Sequence, residues 1–211
     1  MHSTPLSTLA LGCLGAFLCG SIPFGLVLVK LAGKGDVRAH GSGNIGATNV
    51  SRVGGKALGI VTLLLDILKG FLPVFLGKQL GLGESALSLL ALAAVLGHMF
   101  TPWLKFQGGK GVATALGVAL AFRAAMVLPA LGVFIVLLLV FRYVSLGSVL
   151  AAAALPLVLV WMGAMPMVLL LWAAISLLVI AKHHENLRRL LRGTESPLWG
   201  AKHSEQEADR G

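Results

Sequence analysis

Long apolar runs, separated by short polar segments, make up most of this chain of 211 residues. The first run, residues 6–29, carries no charged side chain and is long enough to cross the roughly 30 Å hydrocarbon core of a bilayer as a helix. Only 12% of the residues are charged, and the mean hydropathy is +0.90, whereas an ordinary soluble domain has about 25% charged residues. These features exclude a soluble domain and predict an all-α, polytopic membrane protein.

The run Val112–Phe141 determines how often the chain crosses the membrane. As one helix its 30 residues would rise about 45 Å, and it would carry Arg123 in lipid and Pro129 in its middle. We therefore expect a break near residues 123–129 and two short helices. About seven transmembrane helices result, some of them short. They are predicted in residues 6–29, 58–76, 87–100, both halves of 112–141, 146–162 and 165–180.

Seven spans place every polar, basic loop on one face of the membrane. Because cytoplasmic loops are rich in Lys and Arg, we expect that face to be cytoplasmic, with the N-terminus outside and the C-terminus inside. The net charge of +9 is assigned to these loops rather than to nucleic acid binding, and an anionic substrate or lipid would also suit it. Residues 1–193 are predicted to form one integral membrane domain, with a retained first helix, and residues 194–211 a polar, disordered tail.

The segment 40–52 is the part of the chain that apolar burial cannot explain. It contains three glycines, two asparagines, hydroxyl side chains and a terminal arginine, Arg52. Glycine lets a backbone approach a ligand and present free N–H groups, and hydroxyls, amides and arginine donate to phosphate oxygens. A flexible loop between helices is the alternative, but the polar groups are too numerous for a mere turn. We interpret this segment as half of an anion site.

A second loop, Gly108-Gly-Lys-Gly-Val-Ala-Thr114, places Lys110 among three glycines directly before an apolar helix. N–H groups at a helix N-terminus together with an ammonium group can hold a phosphate. The loop is not a Walker A motif, because Gly111 stands where Ser or Thr must follow the lysine. A basic turn beside the membrane is the alternative.

Two further polar segments lie at residues 142–148 and 183–189. Ser145 could contact a ligand or, equally well, cap the next helix. Ser148 is harder to explain as a cap. His183 and Asn186 share a helical face, so we expect them to project together toward the other loops. For the neighbouring arginines, Arg188, Arg189 and Arg192, contact with lipid headgroups is the simpler interpretation.

Other ionisable side chains lie within the apolar runs. Asp66 and Lys69 are three residues apart in the second span and are predicted to pair there. His98 ends the third span, either packed or near the site, and its role stays open. Cys13 and Cys19 lie in the first run and imply no disulfide framework.

No histidine is followed five positions later by aspartate, so the H-x-x-x-x-D pair of common lysophospholipid-type acyltransferases is absent. No cluster of metal ligands is visible either. An enzyme with these residues would depend on anion binding rather than on a protein nucleophile.

The polar motifs taken together resemble the bacterial acyl-phosphate:glycerol-3-phosphate acyltransferase family. The matching segments are Gly20-Ser-Ile-Pro-Phe-Gly25, Gly41-Ser-Gly-Asn-Ile-Gly-Ala-Thr-Asn49, Gly97-His98, Lys105-Phe-Gln-Gly-Gly-Lys-Gly-Val-Ala-Thr114, Arg142-Tyr-Val-Ser-Leu-Gly-Ser148 and His183-His-Glu-Asn186. They cover nearly the whole chain in order. Phe106-Gln107 departs mildly from the usual pattern, and the tail after Arg192 adds nothing to it.

The resemblance implies a seven-helix enzyme of the bacterial inner membrane whose site faces the cytoplasm. Its reaction would be the first step of phospholipid synthesis, in which acyl phosphate acylates the 1-hydroxyl of sn-glycerol 3-phosphate to give lysophosphatidate and inorganic phosphate. No cofactor or metal is expected. Expected partners are both substrates and membrane lipid, with the enzyme that forms acyl phosphate as a candidate. Implied phosphate-binding residues are Ser42, Asn44, Thr48, Asn49, Arg52, Gly108, Gly109, Lys110 and Gly111, and implied catalytic residues are Ser148, His183 and Asn186.

Two alternatives and one mechanistic question stay open at this point. A transporter for a phosphorylated solute would also need a basic anion site, usually near mid-membrane between sequence repeats; we see no repeat. A non-catalytic lipid-binding scaffold would not need four separate polar loops. The base that accepts the glycerol hydroxyl proton could be the donor's own phosphate or His183.

Overall fold

The structure is a computed structural model that describes residues 5–199, and all regular secondary structure in this range is helical. The α-helices are α1 (Leu6–Ser21), α2 (Phe24–Leu31), α3 (Ala47–Gly54), α4 (Lys56–Gln79), α5 (Glu84–Met99), α6 (Val112–Phe141), α7 (Val144–Trp161), α8 (Pro166–Lys182) and α9 (His184–Leu191). Two single-turn 3₁₀ helices, Val37–Ala39 and Pro102–Leu104, lie in the loops after α2 and α5. The prediction of an all-helical, polytopic membrane protein is confirmed.

The first apolar run is broken where the sequence predicts a kink. Helix α1 ends at Ser21 and α2 begins at Phe24, because Pro23 has no N–H to continue the helical ladder. The break frees the carbonyl of Ile22, and the ammonium group of Lys69 donates to it at 2.7 Å. The N–H of Phe24 donates to the same carbonyl at 3.1 Å, so the charged group from α4 adds a second partner at the break.

Helix α6 is also interrupted, at Arg123, whose backbone is extended (φ −149°, ψ 97°). The Arg123 guanidinium pairs with Glu84 at the start of α5, with Nε 3.1 Å from the carboxylate, and Lys78 donates to the carbonyl of Phe122 at 3.3 Å. A straight helix of this length would separate its ends by about 45 Å.

The ends of α6 nevertheless lie close together. Lys110, just before α6, donates to Asn186, and Asn186 donates to Glu195 at 2.6 Å. Ser145, just after α6, donates to the same oxygen of Glu195 at 2.7 Å. The chain therefore folds back at Arg123, and the expected split into two short helices is present.

Five helical segments of the described chain are long and apolar enough to cross a membrane. They are Leu6–Leu31, Lys56–Gln79, Glu84–Leu104, Val112–Phe141 and Val144–Trp161, and the pair α8 and α9, bent by 55°, would make a sixth. The break in α6 divides one of these segments in two. The count of seven spans and the orientation of the termini stay predictions.

Small residues let the central helices approach closely. A Cβ at Gly70 of α4 would lie 2.3 Å from the carbonyl oxygen of Thr114, and one at Gly117 of α6 would lie 2.0 Å from that of Ile67. Backbone thus packs on backbone between α4 and α6, as is common where helices associate in lipid. The outward side is apolar, with side chains such as Leu157 and Trp161 69% and 85% exposed, as expected for a surface that faces lipid.

Candidate active site

A cavity of about 720 Å³ opens among the four polar segments. At one end it is lined by hydroxyl, amide and cationic side chains, and at the other by apolar side chains from α4, α6 and α7. The polar lining includes Ser42, Asn44, Thr48, Asn49, Arg52, Lys110, Ser145, Ser148, His183, Asn186, Arg189 and Glu195. The apolar lining includes Leu63, Leu116, Ala119, Val127, Ala130, Leu131, Phe134, Ala151, Ala152 and Leu155. One cavity therefore joins a polar end to an apolar end.

Asn49 organises the first loop. Its side-chain oxygen accepts from the N–H of Ser42 at 2.9 Å, and its side-chain nitrogen donates to the carbonyls of Val37, His40 and Asn44 at 2.9–3.1 Å. Because both ends of the amide are engaged with backbone, Asn49 shapes the loop. Gly41 has φ +59°, and a Cβ there would lie 2.3 Å from the Asn49 oxygen, so the tight packing requires glycine.

The side chain of Asn44 stabilises the turn that precedes α3. Its side-chain oxygen accepts from the N–H of Gly46 at 2.8 Å, in a turn that leads into the helix at Ala47. The N-terminal end of α3, including Ala47 and Thr48, lines the cavity, as does Arg52 one turn further on. A helix N-terminus and a nearby guanidinium both favour an anion.

The second loop departs in part from its predicted role. The N–H of Gly108 donates to the carbonyl of Met99, and that of Gly109 to the carbonyl of His98, each at 3.1 Å. These two N–H groups are engaged with the end of α5, and neither glycine lines the cavity. The expected cradle of free N–H groups is therefore not formed by Gly108 and Gly109. Lys110 and Gly111 do line the cavity.

Glu195 links the remaining segments. Its carboxylate accepts from Ser145 and Asn186, at 2.7 and 2.6 Å, and from Arg189 Nε at 2.7 Å. The N–H of Leu198 donates to the carbonyl of Arg142 at 2.8 Å. Residues 194–199, the first part of the predicted tail, thus pack against the site through Glu195 and Leu198, while residues 200–211 lie outside the described range.

The cavity lining carries three cations, Arg52, Lys110 and Arg189, and two carboxylates, Glu195 and Asp66, of which Asp66 is paired with Lys69. Burial lowers the pKa of the Lys110 ammonium group, and the Glu195 charge opposes this. Burial raises the pKa of the Glu195 carboxyl, but the hydrogen bonds from Ser145, Asn186 and Arg189 outweigh it and leave the pKa below its usual value. The excess of positive charge favours an anionic ligand.

His183 and Ser148 line the cavity and are both 3% exposed. His183 Nδ1 lies 2.8 Å from the carbonyl of Val179. A carbonyl can only accept, so Nδ1 carries the hydrogen and the neutral ring leaves Nε2 as an acceptor. Ser148 donates to the carbonyl of Val144 at 2.8 Å, one turn back in α7. That partner is not a base, so the structure shows no activation of Ser148 as a nucleophile.

Buried charged and polar groups in α4 and α5 adjoin this site. The ammonium group of Lys69 lies 2.7 Å from the Asp66 carboxylate, which confirms the predicted pair. Asp66 and His98 line the cavity. For His98, whose place the sequence left open, the structure therefore gives a position beside the site.

The structure brings all the predicted site residues into the cavity lining except Gly108 and Gly109. Sequence reasoning missed Glu195, and it assigned Arg189 to lipid headgroups. The only signal for Glu195 was an acidic residue soon after a run of arginines. Loop residues have no periodicity that would place them in space, so this contact could not be derived from the pattern.

The fold and the site define a class of protein: a multi-pass helical membrane protein with a cationic cavity that continues into an apolar one. The family model for glycerol-3-phosphate acyltransferase matches residues 10–193. The chain belongs to the glycerol-3-phosphate acyltransferase family.

Relatives and solved structures agree with this assignment. The chain is 54% identical to the glycerol-3-phosphate acyltransferase of Trichlorobacter lovleyi over 182 residues, which cover 86% of this chain and 93% of the relative. It is 50% identical to that of Syntrophotalea carbinolica over 184 residues, covering 87% and 94%. A crystal structure of PlsY (YgiH), an integral membrane glycerol 3-phosphate acyltransferase in its glycerol 3-phosphate form, matches with a TM-score of 0.86 and 40% identity, covering 97% of this chain and 100% of PlsY. The lysophosphatidic acid form matches with a TM-score of 0.83 and 42% identity, covering 90% and 95%.

Proposed function

We propose that this protein transfers a fatty acyl group from an acyl phosphate to the 1-hydroxyl of sn-glycerol 3-phosphate, giving 1-acyl-sn-glycerol 3-phosphate and inorganic phosphate. The observation that carries the proposal is the cavity, in which a cationic polar end continues into an apolar end. A small anionic alcohol suits the polar end, and a fatty chain suits the apolar end. The relatives' name, and the two PlsY structures with glycerol 3-phosphate and lysophosphatidic acid, support the acceptor and the product.

The groups that line the cavity support acyl phosphate as the donor. The donor is already activated, so the protein need not supply a covalent nucleophile. Ser148 donates to a backbone carbonyl and Ser145 to Glu195, and neither is hydrogen-bonded to a histidine within the described residues. What remains for the protein is to hold two anions together and to stabilise developing charge. Arg52 and Lys110 suit that task.

In the proposed step the 1-hydroxyl oxygen of glycerol 3-phosphate attacks the acyl carbonyl carbon. The ester C–O bond forms, the bond between that carbon and the phosphate oxygen breaks, and phosphate leaves. Since phosphate groups have a second pKa of about 6, phosphate can accept the proton released from the hydroxyl. His183 Nε2 accepts a hydrogen bond from a glycerol hydroxyl and so orients it, as the tautomer fixed by Val179 allows.

The proposed location is the bacterial inner membrane, with the cavity open to the cytoplasm. The support is electrostatic. The four polar segments that line the cavity are also the basic ones, and basic loops favour the cytoplasmic side. Both proposed anionic substrates would then reach the cavity from the cytoplasmic face.

The test is turnover by the purified protein in detergent micelles. With palmitoyl phosphate and glycerol 3-phosphate we expect inorganic phosphate release that depends on glycerol 3-phosphate, together with 1-palmitoyl-glycerol 3-phosphate identified by mass spectrometry. Palmitoyl-CoA in place of palmitoyl phosphate should give no product. Turnover with palmitoyl-CoA alone would refute the proposed donor. No turnover with any donor, despite binding of glycerol 3-phosphate, would favour a transporter.

A further inference from the structure

His98 fixes the position of the loop that carries Lys110. The N–H of Gly109, the residue before Lys110, donates to the carbonyl of His98 at 3.1 Å. The imidazole ring of His98 lies against the same glycine, since a Cβ at Gly109 would be 2.1 Å from His98 Nε2. Both the backbone and the ring of His98 therefore determine where Gly109 lies.

The ring is held from its other side by α4. His98 Nδ1 lies 3.8 Å from the Asp66 carboxylate, which pairs with Lys69 at 2.7 Å. Lys69 in turn donates to the carbonyl of Ile22 at the break between α1 and α2. The side chains of all three ionisable residues are only 2–3% exposed. The ring therefore packs between the buried Asp66–Lys69 ion pair and the loop that carries Lys110.

Packing alone does not explain a histidine at this position. Nδ1 of His98 has no hydrogen-bond partner within the described residues, and a buried polar atom without a partner is costly. A leucine would fill similar space without that cost. A flat, rigid ring packs directly against the backbone of Gly109 and fixes its position, which a flexible leucine side chain would not do.

We propose that His98 is a positioning residue for Lys110. Its ring, backed by Asp66, sets the position of Gly109 and so places the Lys110 ammonium group at the polar end of the cavity. His98 acts through the loop rather than on the reacting groups. The proposal rests on the proposed function insofar as Lys110 binds a substrate phosphate.

The first experiment measures whether His98 acts through Lys110. Steady-state kinetics are compared for wild type, His98→Ala, Lys110→Ala and the double variant, with each substrate varied in turn. We expect His98→Ala to raise the KM for one phosphate substrate by about tenfold and to change kcat less, because a binding group that is displaced by about 1 Å binds poorly. The double variant should be no worse than Lys110→Ala alone. If the KM increases of the two single variants multiply in the double variant, or if only kcat falls, the proposal is overturned.

A second experiment tests the contact itself and starts from Gly109→Ala, which leaves His98 in place. Gly109→Ala places a methyl group where the ring lies, so it should raise the same KM. In the Gly109→Ala, His98→Ala double variant the ring is gone and the methyl group has room, so the defect should be smaller than the product of the two single defects. Gly132→Ala is the control, because a Cβ there meets nothing within 4 Å. If the KM increase in the double variant equals the product of the increases in Gly109→Ala and His98→Ala, the result counts against the proposal.

The two proposals can fail separately. If wild type releases no phosphate, the proposed function fails. The role of His98 is then tested by the rise in unfolding temperature that inorganic phosphate produces, which should be smaller in His98→Ala and Gly109→Ala than in Gly132→Ala. Equal rises in all three would overturn the positioning role.

Discussion

The carboxylate of Glu195 lies among cations that would otherwise repel one another. Besides its three hydrogen bonds, it favours the charged form of Lys110. Lys110 must be protonated to bind phosphate, so its deprotonation should set an alkaline limit to activity. The pH dependence of the site should therefore depend on both residues.

Glu195→Gln keeps the size of the side chain and removes its charge. The pKa of Lys110, already lowered by burial, should fall further, so the alkaline limb of kcat/KM should move to lower pH. Lys110→Arg should remove that limb, because arginine stays protonated. The measurement is kcat/KM for each substrate against pH. An unchanged limb in Glu195→Gln would show that Lys110 is not the group that titrates.

His183 is expected to position the glycerol hydroxyl rather than to deprotonate it. Glutamine can offer an oxygen acceptor where Nε2 lies, whereas alanine cannot. His183→Gln should therefore retain clearly more activity than His183→Ala at saturating substrate, with an unchanged pH profile. If both variants lose activity equally and the acidic limb disappears, His183 is the base and the phosphate-assisted step is wrong.

Arg52 and Lys110 are predicted to hold substrate phosphate. Arg52→Ala and Lys110→Ala should each lower kcat/KM by about ten- to a hundredfold, since an ionic hydrogen bond in a largely desolvated site contributes about 1.5–3 kcal/mol. Arg188→Ala is the matched control, because Arg188 is exposed and does not line the cavity. Near-normal kinetics in either site variant would mean that its loop only lies at the membrane surface.

At the scale of helices and loops, local chemistry explains what the sequence could predict. Pro23 and Arg123 disfavour an unbroken apolar helix, so both breaks could be predicted, although Pro73 and Pro156 lie inside continuous helices. The concentration of polar groups in residues 40–52 likewise identified a loop that lines the cavity. The engagement of the Gly108 and Gly109 N–H groups with α5 could not be predicted, because it depends on which helix end lies beneath the loop. The same limit applies to Glu195, whose partners are distant in sequence.

The apolar end of the cavity should determine which acyl chains fit. Ala130, in the second half of α6, lines this end, so Ala130→Leu should shorten the space and shift preference from palmitoyl phosphate toward shorter acyl phosphates. Ala125→Leu is the matched control, since Ala125 lies in the same half of α6 but is exposed. The measurement is kcat/KM across a series of chain lengths. The same preference in both variants would place the acyl chain elsewhere.

At the scale of the whole molecule, the proposed topology can be tested by labelling single cysteines in a background without Cys13 and Cys19. Cysteines at Gly81 and Ala125 should react with an impermeant reagent from outside intact cells. Cysteines at Gly43 and Gly193 should react only after the membrane is opened. External labelling of Gly43 would contradict the seven-span arrangement.

Several of the crossing helices are short for the membrane they occupy. Helix α7 has 18 residues and rises about 27 Å, and neither half of α6 is longer, against a hydrocarbon core of about 30 Å. Lipid would have to thin to match helices of this length, at a cost of a fraction of a kcal/mol for each ångström of mismatch. Acyl chains set the thickness of a bilayer. If the enzyme installs these chains, the hydrophobic mismatch around it should therefore increase with the length of the chains that it selects.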